Sequence, residues 1–293
     1  MTEIFSARSW LFAPGDSDRK MEKATGGSAD IVLIDLEDAV AEDEKPRARE
    51  MVAAFLNANA AQRERLWVRI NPIQGPHGLT DLVAIMGARP GGIMLPKPRG
   101  RADADLLDHY LTALEANAGT SIGSTKVIAL VTETPESTLA TGSYAGTPRL
   151  VAMTWGAEDL ATALGAMDSR DESGDYDFTN QMARSLCLLG AGAAGVLAIE
   201  TIQADFKDEE GLRKRCAKVR RAGFKGMLAI HPAQVDIINQ AFTPTAEEVA
   251  YAQEIVDLFA ANPGAGTINY KGTMVDWPYL ARAQAVLALA GRR

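Results

Sequence analysis

Three residues carry the chemistry most readily read from this 293-residue chain: Glu133, Asp159 and Arg69. Each follows a short apolar run. Glu133 comes after Val127 to Val131, Asp159 after Leu150 to Met153 within Gly156-Ala-Glu-Asp159, and Arg69 after Leu66-Trp67-Val68. If the fifth and sixth runs are neighbouring parallel strands, about 4.8 Å apart, their terminal carboxylates can reach one ion. Hard oxygen ligands of this kind suit Mg²⁺, which takes one or two carboxylates and completes its shell with water and substrate oxygens. The alternatives are two solvated strand-end acids, or a helix N-cap in the case of Asp159. Arg69 could hold a substrate carboxylate or a developing oxyanion. It could also pair with Glu37 or Asp38 after the second run, and the two readings are compatible.

A second group is basic. Arg19 and Lys23, four residues apart, share one face of the helix expected after the first run. That helix would open on the side where strands end, and its free N–H groups attract anions. Lys97, Arg99 and Arg101 follow the fourth run. Both groups could bind phosphates or simply be solvated surface charge.

These residues need a scaffold, and the apolar runs describe one. The remaining runs are Ser9 to Ala13, Ile31 to Ile34, Gly92 to Leu95, Val196 to Ile199 and Met227 to Ile230. Runs of this length bounded by turn or charged residues read as buried parallel strands. Amphipathic stretches at 47–58, 79–87, 103–116 and 179–189 supply crossovers. Eight such units with polar residues at the strand ends predict an α/β fold, a (β/α)₈ TIM barrel with its site at the C-terminal face. The barrel domain is placed at 1–242, closing near His231-Pro232. A C-terminal helical extension follows at 243–293, serving as a lid or as an arm to a neighbouring subunit. Within it Thr245 and Glu248 form a capping box. Val249, Ala252, Val256 and Phe259 then lie at helical spacing, and Gly264 to Gly272 reads as a flexible loop before Asp276 and a last helix.

Composition narrows the class. A net charge of −8 and 47% hydrophobic residues argue against a nucleic-acid surface. No apolar stretch approaches the roughly 20 residues of a membrane span, and the opening residues lack leader features, so a cytoplasmic location is expected. Cys187 and Cys216 read as buried thiols. Gly190-Ala-Gly192-Ala-Ala-Gly195 fits a dinucleotide fingerprint by spacing but has a helical segment before it and a strand after it, the reverse of what phosphate binding needs.

With these residues in place, the chain resembles the citrate lyase beta-subunit-like family of the HpcH/HpaI aldolase superfamily, which includes malyl-CoA and citramalyl-CoA lyases. The resemblance rests on ordered motifs along nearly the whole chain. They are Arg8-Ser-Trp-Leu-Phe-Ala-Pro-Gly15, Asp30 to Val40, Val68-Arg-Ile-Asn71, Leu95-Pro-Lys97, Glu133-Thr134, Gly156 to Asp159, Ala183-Arg-Ser185, Phe206 to Leu212, Ala229 to Gln234 and Gly272 to Asp276.

The resemblance implies an Mg²⁺-dependent (Mn²⁺ serving as substitute) carbon–carbon lyase acting on a short-chain 3-hydroxyacyl-CoA, with acyl-CoA and 2-oxoacid substrates. It implies Glu133 and Asp159 as metal ligands, and Arg69 on the thioester or enolate oxygen. Arg19, Lys23 and Lys97 would serve CoA, with Glu37, Asp38 and His231 supporting. Asp276 would come from a neighbouring subunit in a homo-oligomer, a trimer or hexamer; the competing reading makes Asp276 an N-cap before Trp277-Pro278. Three positions depart from the pattern: Glu133-Thr-Pro-Glu-Ser lacks the usual Gly and Asn, Glu200 stands where Asp is usual, and His77 replaces a bulky aromatic. The rival readings are a citrate lyase beta subunit using a carrier-protein thioester, a CoA-independent class II pyruvate aldolase, and a non-catalytic barrel. Glu37-Asp38 stands where the pyruvate aldolases carry a histidine, which counts against the second rival.

Overall fold

A computed structural model describes residues 6–291; Met1 to Phe5, part of the opening stretch read for leader features, lie outside the described residues, as do Arg292 and Arg293. Eight parallel strands close into a barrel in sequence order: β1 (Ser9–Pro14), β2 (Ile31–Asp35), β3 (Leu66–Arg69), β4 (Gly92–Leu95), β5 (Lys126–Leu130), β6 (Leu150–Thr154), β7 (Leu197–Glu200) and β8 (Gly226–Ala229). β8 pairs with β1 to complete it. The crossovers are α1 (Asp18–Thr25), α2 (Lys45–Ala58), α3 (Gly78–Ile85), α4 (Arg101–Asn117), α5 (Pro135–Leu139), α6 (Glu158–Leu164) followed by α7 (Phe178–Ala194), and α8 (Glu209–Ala222). After β8, α9 (Pro232–Ala241) packs back on β8 and β1.

Alternation along each strand produces two apolar layers. Trp10, Leu33, Trp67, Met94, Ile128 and Ile199 fill the barrel interior, with the Trp10 and Trp67 rings edge-to-face at 5.2 Å. Residues on the other face, such as Val32, Val68, Ile93 and Met153, meet the helices. Gly92 is required by this interior, because a Cβ there would lie 2.4 Å from the Trp67 ring.

The Gly190–Gly195 fingerprint sits in the last turns of α7, with Gly195 as its left-handed cap (φ 69°) and β7 following. A helix C-terminus carries partial negative charge and offers phosphate nothing. Cys187 and Cys216 are free and buried, and desolvation raises both thiol pKa values, Cys216 to about 12. His77, an expected loop residue, bridges Arg49 and Glu42. Glu200, at the end of β7, faces outward into an ion pair with Arg215 (2.8 Å) and accepts from the Trp155 indole.

The extension has its own small core. α10 (Ala246–Ala261) opens on the Thr245–Glu248 capping box and packs against α11 (Trp277–Ala290) through Ala252, Ile255, Phe259, Leu280 and Ala283. The stretch expected as a flexible loop is in part an antiparallel hairpin, β9 (Thr267–Tyr270) with β10 (Thr273–Asp276). Its two-residue turn, Lys271-Gly272, has φ of 50° and 88°. That is the primed turn whose twist matches paired strands, and Val275 anchors the hairpin in the small core.

The extension is an arm set away from its own barrel mouth. Glu248, at its base, pairs with Arg220 at the end of α8. A cavity at this junction is lined by Arg8, Lys225, Phe242, Val286 and Leu289. Arg8 and Lys225 precede β1 and β8, so this junction lies at the N-terminal end of the barrel. The 16 residues of α10 carry the chain about 24 Å from that base, and Asp276 sits at the distal end. No described helix is long and apolar enough to cross a membrane.

Candidate active site

The mouth of the barrel is built from the residues that end β2, β3 and β4 and those just beyond β5 and β6. β2 ends on Asp35 and the chain turns directly beyond it, and both Asp35 and Glu37 reach Arg69. Asp35 grips the guanidinium with both oxygens, accepting from Nε at 2.8 Å and Nη2 at 2.6 Å. Nη1 lies 2.9 Å from Glu37 Oε2 and 3.4 Å from Asp38 Oδ2. Below, the guanidinium stacks over the Phe12 ring at 4.8 Å. Burial opposes the Arg69 charge, but Asp35, backed by Glu37 and Asp38, more than offsets this, and the pKa is raised. The side chain is thus a permanent, oriented cation. Among the described residues Nη2 makes no hydrogen bond besides the one to Asp35.

Glu37 itself is held by the chain behind it. Lys45, buried, donates from Nζ to the carbonyls of Leu36 and Glu37 and to Asn71 Oδ1, at 2.8 to 3.0 Å. Asn71 is gripped in turn by Asp81, which also pairs with Arg49 at 2.7 Å. Asp35 Oδ1 accepts from the Glu37 amide. Together these bonds fix the 36–38 turn against the barrel rim. Burial pushes the Glu37 carboxyl up to about 7, with Asp38 adding to the rise while Arg69 and Lys97 pull it down.

Glu133 is 2% exposed. Its Oε2 accepts from the Lys97 amide at 2.7 Å, and Gly156 leaves it room, since a Cβ there would stand 3.2 Å from Glu133 Cγ. Burial raises its pKa well above the ordinary range, and the charges of Glu37 and Asp159 add to the effect. Asp159 lies in the first turn of α6 and is partly open to solvent. Lys97 extends its Nζ to Glu37 (3.0 Å), Asp159 (3.3 Å) and Asp38 (3.5 Å).

Arg69, Glu37, Asp38, Lys97, Glu133 and Asp159 therefore meet at one mouth. Asp35 and Phe12 belong there as well. Asp35 was legible as the first acid of Asp35-Leu-Glu-Asp38; Phe12 gave no sequence signal. Arg19 and Lys23 are exposed on α1 and pair with no other described residue. Arg99 and Arg101 are tied to Asp103 and Asp105 along α4. His231 caps α9, accepting from the Ala233 amide and stacking on Phe206 at 4.5 Å. Asp276 does not join the mouth of its own chain. It stands at the N-cap position of α11, yet its side chain makes no cap bond, and Oδ1 is buried without a hydrogen-bond partner.

Five carboxylates (Asp35, Glu37, Asp38, Glu133, Asp159) face two cations, Arg69 and Lys97. This excess of hard, anionic oxygen fits a divalent cation of the Mg²⁺ kind. Among the described residues no group of three or more His, Cys, Asp or Glu side chains is arranged as a ready-made metal site, so a metal here would rest on Glu133 and Asp159 plus non-protein oxygens, as Mg²⁺ commonly does.

A closed parallel barrel with an acidic, arginine-bearing mouth at the C-terminal ends of its strands is the architecture of a barrel enzyme. Residues 8–232 match HpcH/HpaI aldolase/citrate lyase, and the chain belongs to that family. It is 32% identical over 285 residues to the citrate lyase subunit beta of Haemophilus influenzae (97% of this chain, 96% of that one). It is 35% identical over 286 residues to a (3S)-malyl-CoA thioesterase of Cereibacter sphaeroides (97% and 94%). To the mitochondrial citramalyl-CoA lyase of Mus musculus it is 30% identical over 299 residues (97% and 86%). In structure it is similar to the protein CitE of Mycobacterium tuberculosis in complex with magnesium, acetoacetate and coenzyme A, with a TM-score of 0.81, 34% identity and 98% and 99% coverage. The chain is an enzyme of the carbon–carbon lyase type.

Proposed function

We propose that this lyase cleaves, or in reverse forms, a short-chain 3-hydroxyacyl-CoA such as malyl-CoA or citramalyl-CoA in a magnesium-dependent reaction. The observation that carries the reading is the buried Glu133 beside Asp159, facing the clamped Arg69 across one mouth. The similarity to the magnesium and coenzyme A complex and to the malyl-CoA and citramalyl-CoA enzymes supports it.

Cleavage between the second and third carbons leaves an enolate on the thioester and a new carbonyl. Glu133 and Asp159 would hold magnesium, which supplies Lewis-acid polarisation of an oxygen. Arg69, locked by Asp35, would bind the oxygen on which the enolate charge collects. Asp38 is the partner that substrate would displace, being the most distant of the three and half-exposed. Arg19 and Lys23, free on α1, would meet the CoA phosphates.

The test is a panel of malyl-, citramalyl-, methylmalyl- and citryl-CoA with Mg²⁺, followed by mass spectrometry. A new shorter acyl-CoA together with a carbonyl product is expected. Free CoA with intact hydroxy acid would instead show thioester hydrolysis, and no turnover of any member would sink the reading.

The proposal extends to assembly. A proton must leave the hydroxyl and another must reach the enolate carbon. Asp276, with an unpartnered oxygen at the far end of an arm, would serve one of these steps in the mouth of a neighbouring subunit of a homo-oligomer, a trimer or hexamer. Mixing inactive Glu133→Ala and Asp276→Ala subunits should then restore part of the activity, since a hybrid can form one site with both groups. Mixtures shown to have exchanged subunits yet remaining inactive would refute sharing.

A further inference from the structure

Lys97 is the one basic residue of the 97–101 group that turns into the barrel. Arg99 and Arg101 are satisfied along α4, whereas Lys97 Nζ is within 3.5 Å of Glu37, Asp38 and Asp159. Its backbone takes the left-handed conformation (φ 47°), which disfavours a side-chain-bearing residue. In that conformation the Lys97 amide is bonded to Glu133 while the side chain reaches the other three acids. Arg69 shares Glu37 and Asp38 through Nη1 but is held in place by both oxygens of Asp35, so of the two cations Lys97 is the one that reaches Asp159.

We propose that the Lys97 ammonium is a built-in counter-cation for the Glu37–Asp38–Glu133–Asp159 cluster, one that competes with the divalent ion and so sets the affinity for metal. The inference rests on the reading that Glu133 and Asp159 hold metal. An ammonium is a compact charge on a flexible stem with rotatable donors. It can neutralise the acids when they would otherwise repel one another across a buried mouth, and swing toward solvent when a divalent ion arrives. Metal binding then bears the loss of these ion pairs and the repulsion of a cation that stays nearby.

The test is Mn²⁺ titration of the full-length protein, reading free Mn²⁺ by electron paramagnetic resonance, with melting temperatures measured with and without metal. Lys97→Met should bind Mn²⁺ at least about fivefold more tightly than wild type, the factor expected for removing one unit charge about 8 Å from a divalent ion even with full aqueous screening. It should also melt lower without metal and gain more from Mn²⁺. Lys97→Arg should stay near wild type in affinity. A residue that merely supports the rim would loosen the site when removed, so unchanged or weaker Mn²⁺ binding by folded Lys97→Met overturns the proposal. If Lys97→Met does not fold without metal, Lys97→Gln carries the same comparison, and failure of both to regain native circular dichroism with Mn²⁺ also overturns it. Asp159→Asn separates the two readings. Mn²⁺ binding retained in that variant would refute the metal site itself, whereas loss there without tightening in Lys97→Met would refute only the competition.

Discussion

Arg69→Lys should lower kcat by a factor on the order of 10²–10³, the loss seen when one oxyanion donor is removed, while leaving the protein folded. Lysine keeps the positive charge beside Asp35, so the ion pair that secures the mouth survives in reduced form. It cannot supply a planar fork that holds Asp35 through Nε and Nη2 and still offers a donor to substrate. The choice of Lys over Ala matters, because deleting the cation would strand a carboxylate that is 2% exposed, a change costing about 3–5 kcal/mol in comparable buried pairs. Loss of activity would then be indistinguishable from loss of structure. Steady-state kinetics together with thermal melting decide the matter. A variant within about threefold of wild type would reduce Arg69 to an ion-pair partner of the β2 acids.

Glu133→Ala and Asp159→Ala should each remove turnover, by more than about a thousandfold, since Lewis-acid assistance contributes several kcal/mol to transition-state stabilisation. The two should differ in stability. Glu133 is buried and accepts from the Lys97 amide, so its removal leaves a partly buried donor without that partner. Asp159 is 42% exposed in its side chain, and its removal should leave melting close to wild type. Chelation of the wild-type protein should reproduce the kinetic loss, with turnover returning on Mg²⁺ or Mn²⁺. Full activity in excess chelator would end the metal reading for both residues.

Much of the scaffold was legible in the chain itself. Eight short apolar runs with crossover helices between them dictate a parallel barrel, because a strand buried on both faces can carry few polar side chains along its length. The polar residues therefore collect where the runs stop. That is why the chain alone puts Arg69, Glu133 and Asp159 at the mouth, and why the capping box at Thr245 marks the start of α10. The hairpin in the arm also has a local signature: Thr267-Ile-Asn-Tyr and Thr-Met-Val around Lys271-Gly272, a two-residue turn needing positive φ at both positions.

Other features depended on contacts between segments far apart in sequence. Which acid would clamp Arg69 was decided by register, since β2 and β3 place Asp35 directly beside it and leave Glu37 and Asp38 to its outer nitrogen. Lys97 reads as one of three cations that bind phosphate or sit in solvent, until a left-handed backbone turns it toward acids 59 to 62 residues away in the chain. The arm's direction was likewise invisible. Its helices and hairpin join through Ile255, Phe259, Val275 and Leu280, and its base is tied by Glu248 to Arg220, so Asp276 is carried away from its own Glu133. Local sequence determines where a strand stops and a helix starts, because those choices depend on backbone bonds and side-chain periodicity within a few residues. Which charges then share a mouth, and which mouth Asp276 can approach, is settled only when barrel closure and long-range packing bring distant segments together.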